Sequence, residues 1–461
     1  MRSRLIIYLA AVAVILGGCA TYYTKTLKIN QAIETGQFEA ANKLLEKDKK
    51  SPKNRNSLLH FLNRGYVSWM MNDNRSSISF FNNADRIIED HNRMNIGAEA
   101  LALVTNPMMR PYRAEDFEVV MVNCFKAINF MQMNNFEAAM VECRRINMRL
   151  NQLNDRYPSH KNRYQNDAFA HTMMGLLYDA NGDYNNAFIA YRNAFNVYES
   201  DYAPNFNVNP PQQLKQDILR TAYLIGFRDE LDFYERKFGM KYSHTANPEA
   251  EMVFFWMNGL GPVKDEWSIN FTVLRGQGGI VTFFNEDLNL SFAFPLGSTS
   301  DEDEDIFANL RFVRVAFPKY VERRPRSIHA VVRSETASFP LERAQDINAI
   351  AFKTLNDRFM REMASALLRV ATKQALEQAT RKGDQNVGAI LGIVNAATEK
   401  ADTRNWQSLP NAISYTRIPL QQGNNKLTLN VSMVDGRSVA SDMSVQAQRG
   451  RTYFQVFHTL N

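Results

Sequence analysis

The residues of this sequence that could do chemistry are few and scattered. Asp301-Glu302-Asp303-Glu304-Asp305 has enough charge to hold a calcium ion. A helix–loop–helix calcium loop needs Gly at its sixth position and Glu at its twelfth. Counted from Asp301 these are Ile306 and Phe312, so the run reads as a solvated acidic loop. Gly276, Gly278 and Gly279 lack the following Gly-Lys-Ser/Thr that cradles a phosphate, and read as a β-turn. The seven histidines (60, 91, 160, 171, 244, 329 and 458) show no HExxH spacing. No Gly-x-Ser-x-Gly elbow and no catalytic-cysteine signature is present. These patterns predict no metal, no cofactor and no catalytic residue, and hence a protein that is not an enzyme.

Cys19 stands apart. Arg2 and Arg4 precede a run from Leu5 to Leu16 that is apolar apart from Tyr8, and Leu16-Gly17-Gly18-Cys19 follows. A run of about 12 residues is too short for a bilayer, which needs about 20, but suits a signal peptide. A cysteine directly after small residues resembles the lipobox of bacterial lipoproteins. The thiol there accepts a diacylglyceryl group. Each buried CH₂ contributes roughly 0.8 kcal/mol, so two or three palmitate-type chains hold stably where one would not. The expectation is a cleaved signal peptide over 1–18 and a lipid-bearing N-terminus at Cys19. Ala20 in place of Asp implies, by the same resemblance, the outer membrane, with the protein facing the periplasm. No later segment reaches about 18 apolar residues, so nothing after Cys19 is expected to cross the membrane.

The elements that would follow such an anchor are bounded by composition. A chain of 461 residues, 45% hydrophobic and 22% charged, is globular and too long for one ordinary core. The net charge of +6 falls to about +4 without the signal arginines. No Lys/Arg-rich run argues for nucleic acid. Cys124 and Cys143 are left for pairing in an oxidising compartment; the repeat register below puts them on different faces, so two unpaired thiols are expected ahead of a disulfide.

A repeat of about 34 residues organises the first half. From Ala168 onward Gly175, Tyr178, Gly182, Tyr184, Ala187, Tyr191 and Ala194 match the small and aromatic positions of a tetratricopeptide repeat. The same frame fits Val120 to Ile146, with Ala127, Phe130, Phe136, Ala139 and Cys143. It fits more loosely from Leu58 (Gly65, Phe81, Ala84) and from Gly36 (Ala41, Leu45), while Gln212 to Phe238 reads as a capping helix pair. First helices of such pairs line a concave groove, here with Leu62, Tyr66, Trp69, Ile128, Met131, Phe169 and Leu176. Those side chains would suit a partner peptide or helix. Equally, the C-terminal half or the 91–119 insertion could fold over them.

From Met252 the pattern turns to strands, over Val253–Met257, Ile269–Leu274, Ile280–Phe284, Leu290–Phe294, Phe312–Phe317 and Ile328–Val332. A long helix spans Gln345–Arg381 and an Ala-rich one about Val387–Ala401. Strands return at Ile413–Ile418, Lys426–Val434, Met443–Gln448 and Tyr453–His458. The fold class is therefore α+β: a tetratricopeptide-like α-solenoid, then a mixed, mostly β region with one long helix. The expected boundaries are 1–18 signal peptide, 19–245 repeats, 246–341 β-rich domain, 342–405 helical segment and 406–461 small β-domain.

Four strings occur in order: Tyr112-Arg-Ala-Glu-Asp-Phe-Glu118, Val141-Glu-Cys-Arg-Arg145, Asn258-Gly-Leu-Gly-Pro-Val-Lys-Asp-Glu266, and Ala401-Asp-Thr-Arg-Asn-Trp406 with Leu409-Pro410. Together they resemble a largely uncharacterised family of tetratricopeptide-repeat lipoproteins of Gram-negative bacteria, often encoded beside lipoproteins similar to activators of penicillin-binding proteins. The resemblance implies a periplasmic scaffold, held by its lipid, with protein partners in peptidoglycan assembly. A SusD-like glycan-binding lipoprotein and an outer-membrane assembly component are the alternatives; the β-rich half and the extra length disfavour them. Within the strings, Glu118 is expected to pair with Arg144 or Arg145 and dock the insertion, unless those charges are solvated. Asp402 and Arg404 are expected to pin the last helix to the closing β-domain.

Overall fold

A computed structural model describes residues 22–93, 107–156, 164–244, 248–275, 280–295, 312–381 and 400–460. The signal peptide, Cys19, the acidic run 301–305, the glycines at 276–279 and nearly all of the Ala-rich helix expected over 387–401 lie outside them.

Twelve helices come first among the described residues: α1 (Tyr22–Lys25), α2 (Leu27–Glu34), α3 (Phe38–Lys47), α4 (Ser57–Met70), α5 (Asn74–Arg93), α6 (Asp116–Gln132), α7 (Phe136–Arg156), α8 (Ala168–Ala180), α9 (Tyr184–Val197), α10 (Ala203–Phe206), α11 (Gln212–Leu224) and α12 (Arg228–Phe238). Five hairpins result: α2–α3, α4–α5, α6–α7, α8–α9 and α11–α12. Each turns through a left-handed residue two positions before its second helix: Gly36, Asn72, Asn134, Gly182 and Gly226, with φ between 55° and 76°. Only Gly and Asn occupy this conformation at little cost, so the turn chemistry repeats with the period. Asp167 caps α8 through the Ala170 amide at 2.6 Å, and Glu115 and Glu118 form a capping box on α6. Small residues set how closely the helices approach. A methyl on Gly65 would stand 2.6 Å from the Phe81 ring, and one on Gly175 would overlap the ring of Tyr191.

Among the described residues twelve strands follow, in three four-stranded sheets. The inner sheet has the order β12 (Thr452–Thr459), β1 (Ala250–Asn258), β9 (Ala412–Leu420), β8 (Glu342–Asp346), with β12 parallel to β1 and the other pairs antiparallel. The outer sheet is antiparallel: β11 (Ser438–Ala447), β10 (Gly423–Met433), β6 (Ser327–Arg333), β7 (Ser338–Pro340). The third is an antiparallel sheet of β4 (Leu290–Pro295), β3 (Ile280–Asn285), β2 (Val263–Arg275) and β5 (Phe312–Val321). Against it packs α13 (Ile347–Arg381) through Phe359, Met363, Ala366, Leu367 and Ala371.

The uninterrupted apolar run of β1 has a direct cause. Val253, Phe255 and Met257 face the helical core, while Met252, Phe254 and Trp256 face the outer sheet. A strand buried on both faces has no polar side to alternate with. This arrangement corrects the expected boundaries. Residues 406–461 do not close into a small β-domain of their own: β9 and β12 flank β1, and β10 pairs with β6. The segments 246–341 and 406–461 interleave, because neither can cover both faces of its strands alone.

Candidate functional site

The seven residues expected to line the groove do lie together on the first helices α4, α6 and α8, and all are buried, none more than 5% exposed. The inner sheet fills the concave face. Phe169 meets Phe255 of β1 edge-to-face at 5.8 Å. Tyr66 stacks edge-on against His458 of β12 and donates its hydroxyl hydrogen to Nδ1 at 2.8 Å. On the other side of that imidazole, Nε2 lies 2.8 Å from the Gly259 carbonyl. A carbonyl only accepts, so Nε2 carries the proton and Nδ1 receives the tyrosine's. Burial holds the imidazole neutral and pushes its pKa down to about 4. Trp406 packs on Phe81 and Phe125 beside Trp69. Of the two arrangements open to this face, coverage by the C-terminal half is the one found, so it is not an open partner groove.

Four charged nodes cross the same seam. Arg417 on β9 reaches Asp179 at 2.7 Å, Asp217 at 3.1 Å, Glu251 and the Tyr191 hydroxyl, and Arg220 also pairs with both aspartates. Burial raises the carboxyl of Asp217; that of Asp179, beside both guanidinium groups, is lowered. The second node holds Glu115 between Lys264 of β2 and Arg358 of α13. Those cations bring its pKa down to about 2 against the cost of burial. Glu118, one turn on, accepts from Tyr112 Oη (2.5 Å), the Glu115 amide (3.0 Å) and the Trp406 amide (2.6 Å). Burial first, and the neighbouring Glu115 carboxylate second, raise its pKa to about 7.

In the third node Arg404 pairs with Asp402 at 2.6 Å and donates to the carbonyls of Pro107 and Arg110 and to Asn56 Oδ1, with its guanidinium over the Tyr112 ring. In the fourth, Arg323 donates to the carbonyls of Gly261 and Gln407 and pairs with Glu34 at 3.1 Å.

Three of the four strings therefore meet at one place. Residues 112–118, 258–266 and 401–410 are joined by Glu118 to Trp406, Glu115 to Lys264, Asn405 to the Pro262 carbonyl at 2.8 Å, and the Gly261 amide to the Leu409 carbonyl at 2.7 Å. The fourth string lies elsewhere, and two expectations change with it. The Glu118 pairing with Arg144 or Arg145 does not form. Arg144 bonds Tyr178 Oη, and Arg145 joins Asp85, Glu142, Lys126 and Arg149 between α5, α6 and α7. Asp402 and Arg404 do pair, but what they pin is the 401–408 segment to the helical half. Arg417, Asp179, Lys264, Arg358 and Arg323 were not singled out in the sequence. Lys264 sits inside a quoted string; for the others nothing local marks a partner 100 or more residues away.

Cys124 and Cys143 are both buried and unpaired, and burial raises both thiols. Among the described residues no group of three or more His, Cys, Asp or Glu could hold a metal, and no helix is long and apolar enough to cross a membrane.

No protein-family model and no curated protein matches the chain. Solved structures do. The crystal structure of MamA is 16% identical over 45% of this chain and 90% of its own, with a TM-score of 0.29. Apo RapI is 13% identical over 47% and 68%, with a TM-score of 0.32. Aspartyl phosphate phosphatase F from Bacillus subtilis is 15% identical over 51% and 54%, with a TM-score of 0.33.

Proposed function

We propose that this chain is a non-enzymatic scaffold of the bacterial cell envelope. Acyl chains on Cys19 hold it at the outer membrane, facing the periplasm, and it presents the outer face of its helical repeats to protein partners in peptidoglycan assembly. The observation that carries the reading is that the concave face is already filled by the chain's own sheet, while the second helices expose large apolar side chains. Val141 and Met148, seven residues apart on α7, are each 49% exposed; Ile189 of α9 and Phe233 of α12 are exposed as well. Apolar residues repeated on the second helices of three successive hairpins suit a protein partner. The buried ionisable groups of the seam form pairs and hydrogen bonds that fix one half against the other, which is what a rigid platform needs. The envelope and the partner class are supported by the residues around Cys19 and by the family resemblance of the four strings.

The test is affinity capture of the full-length protein from crosslinked envelopes, beside Val141→Ser/Met148→Ser/Ile189→Ser. Peptidoglycan synthases or their activators should come with the first and be lost with the second. Capture of a TonB-dependent porin or of β-barrel assembly proteins would replace this reading with one of its alternatives. The same partners with both proteins would refute the outer-face surface.

A further inference from the structure

The described chain begins fastened. The Tyr22 amide donates to Thr403 Oγ1 at 3.1 Å, Thr26 Oγ1 bonds Gln407 Oε1 at 3.2 Å, and Asn30 Nδ2 bonds the same oxygen at 2.7 Å. One side of α1 and α2 is thus spent on the 401–408 segment, with Glu34 completing it through Arg323. Cys19 is three residues before Tyr22. Whatever path those residues take, covalent geometry allows at most about 11 Å between the two Cα atoms. A lipid on Cys19 would therefore hold this part of the body at the headgroup level, with no linker to stand it off.

The surface that would meet the headgroups is basic. Between residues 22 and 33 there is no acid, and Lys25 and Lys28 are exposed. Arg323 and Pro325 of the neighbouring loop turn inward, onto Gly261 and Gly259 respectively, while Arg324 and Arg326 between and after them are exposed. Glu322, paired with Arg324 at 3.1 Å, offsets one of these four cations. We propose that the face carrying Lys25, Lys28, Arg324 and Arg326 lies against the anionic headgroups of a phospholipid bilayer and fixes the orientation of the body on the membrane. This rests on the reading of Cys19 as acylated. Each Lys or Arg at an anionic surface adds to the attraction, and a short tether keeps all four within reach of it.

The experiment uses the full-length acylated protein in phosphatidylethanolamine vesicles with about 30 mol% phosphatidylglycerol, and in vesicles of zwitterionic lipid alone. A fluorophore is attached at Gln31→Cys on α2 or at Gln446→Cys, at the end of β11 remote from this loop. The buried Cys124 and Cys143 stay unlabelled. Headgroup-spin-labelled lipid should quench the first probe more than the second, since the tether holds α2 near the headgroups in either lipid, and more strongly in anionic than in zwitterionic vesicles. Lys25→Glu/Lys28→Glu/Arg324→Glu/Arg326→Glu should abolish the difference between the two lipids. Equal quenching at both sites, or quenching indifferent to lipid charge, overturns the proposal even if the variant fails to fold. Mass spectrometry of the N-terminal peptide tests the anchor separately. If Cys19 is unacylated that reading fails, and partition of the same protein into anionic vesicles tests the face by itself. A loss of about fivefold per reversed cation supports the proposal, and no loss overturns it.

Discussion

Arg417 shows what a single side chain does in this molecule. It stands buried among Asp179, Asp217 and Glu251, drawn from two helices and a strand. Three carboxylates beside one guanidinium are tolerable only while it and Arg220 remain. Breaking a buried pair from one side typically costs 3–5 kcal/mol; Arg417→Met is expected to lower unfolding stability by about that amount in a denaturant titration. Glu118 sets a pH dependence. Its native pKa, about 7, lies above the ordinary value of 4.5, so the native state keeps a proton that the unfolded chain has released. The stability this confers is lost as pH rises from about 4.5 through about 7. Glu115, held at about 2, acts oppositely: its contribution is present above about 4.5 and is lost as pH falls towards 2. Glu118→Gln should flatten the decline of stability between about pH 5 and 7, and an unchanged slope would assign that decline to other groups.

At the scale of elements, the closeness of the hairpins is the controlling quantity. Gly175 lies under Tyr191, and that ring is itself held by Asp179 at 2.9 Å. Gly175→Ala cannot be relieved by swinging the ring away without breaking that bond. Overpacking of this kind costs typically about 1–3 kcal/mol, so in a body of this size Gly175→Ala should lower the thermal midpoint by about 1–3 °C. These hairpins were legible in the sequence because their determinants are local: a Gly or Asn at each turn, small residues at fixed offsets, aromatic residues between them. Every strand expected from an apolar run or alternation exists, since β-patterning is local too. The short β7 and β8 carry no such signal: β8 reads Glu-Arg-Ala-Gln-Asp, takes in Gln345 expected at the start of the long helix, and has its inward side satisfied by Gln345 reaching Asp167 at 2.9 Å, 178 residues away. Polar residues facing a polar partner leave no apolar signature.

For the whole molecule, the same distinction between local and distant determinants explains which readings changed. The α+β class followed from periodicities, but the interleaving of 246–341 with 406–461 and the filling of the concave face are long-range pairings, and no short window encodes them. The groove residues were correctly grouped on α4, α6 and α8; what covers them is the second half of the chain. Helices and sheets thus form one body, in which Tyr66, His458 and Gly259 tie the array to the last strand and Arg417 ties it to the centre of the inner sheet. The helical array and the inner sheet should open together, since the apolar face that each turns towards the other is covered by that partner.

Hydrogen exchange followed by mass spectrometry tests that central claim most directly. If the inner sheet closes the concave face, the amides of α4, α6 and α8 and those of β1, β9 and β12 should share one high level of protection and lose it together as denaturant is added. Tyr66→Ala should lower protection in both halves equally. Early exchange of α4, α6 and α8 while the sheet stays protected would contradict the account and return the concave face to the role of an open binding groove.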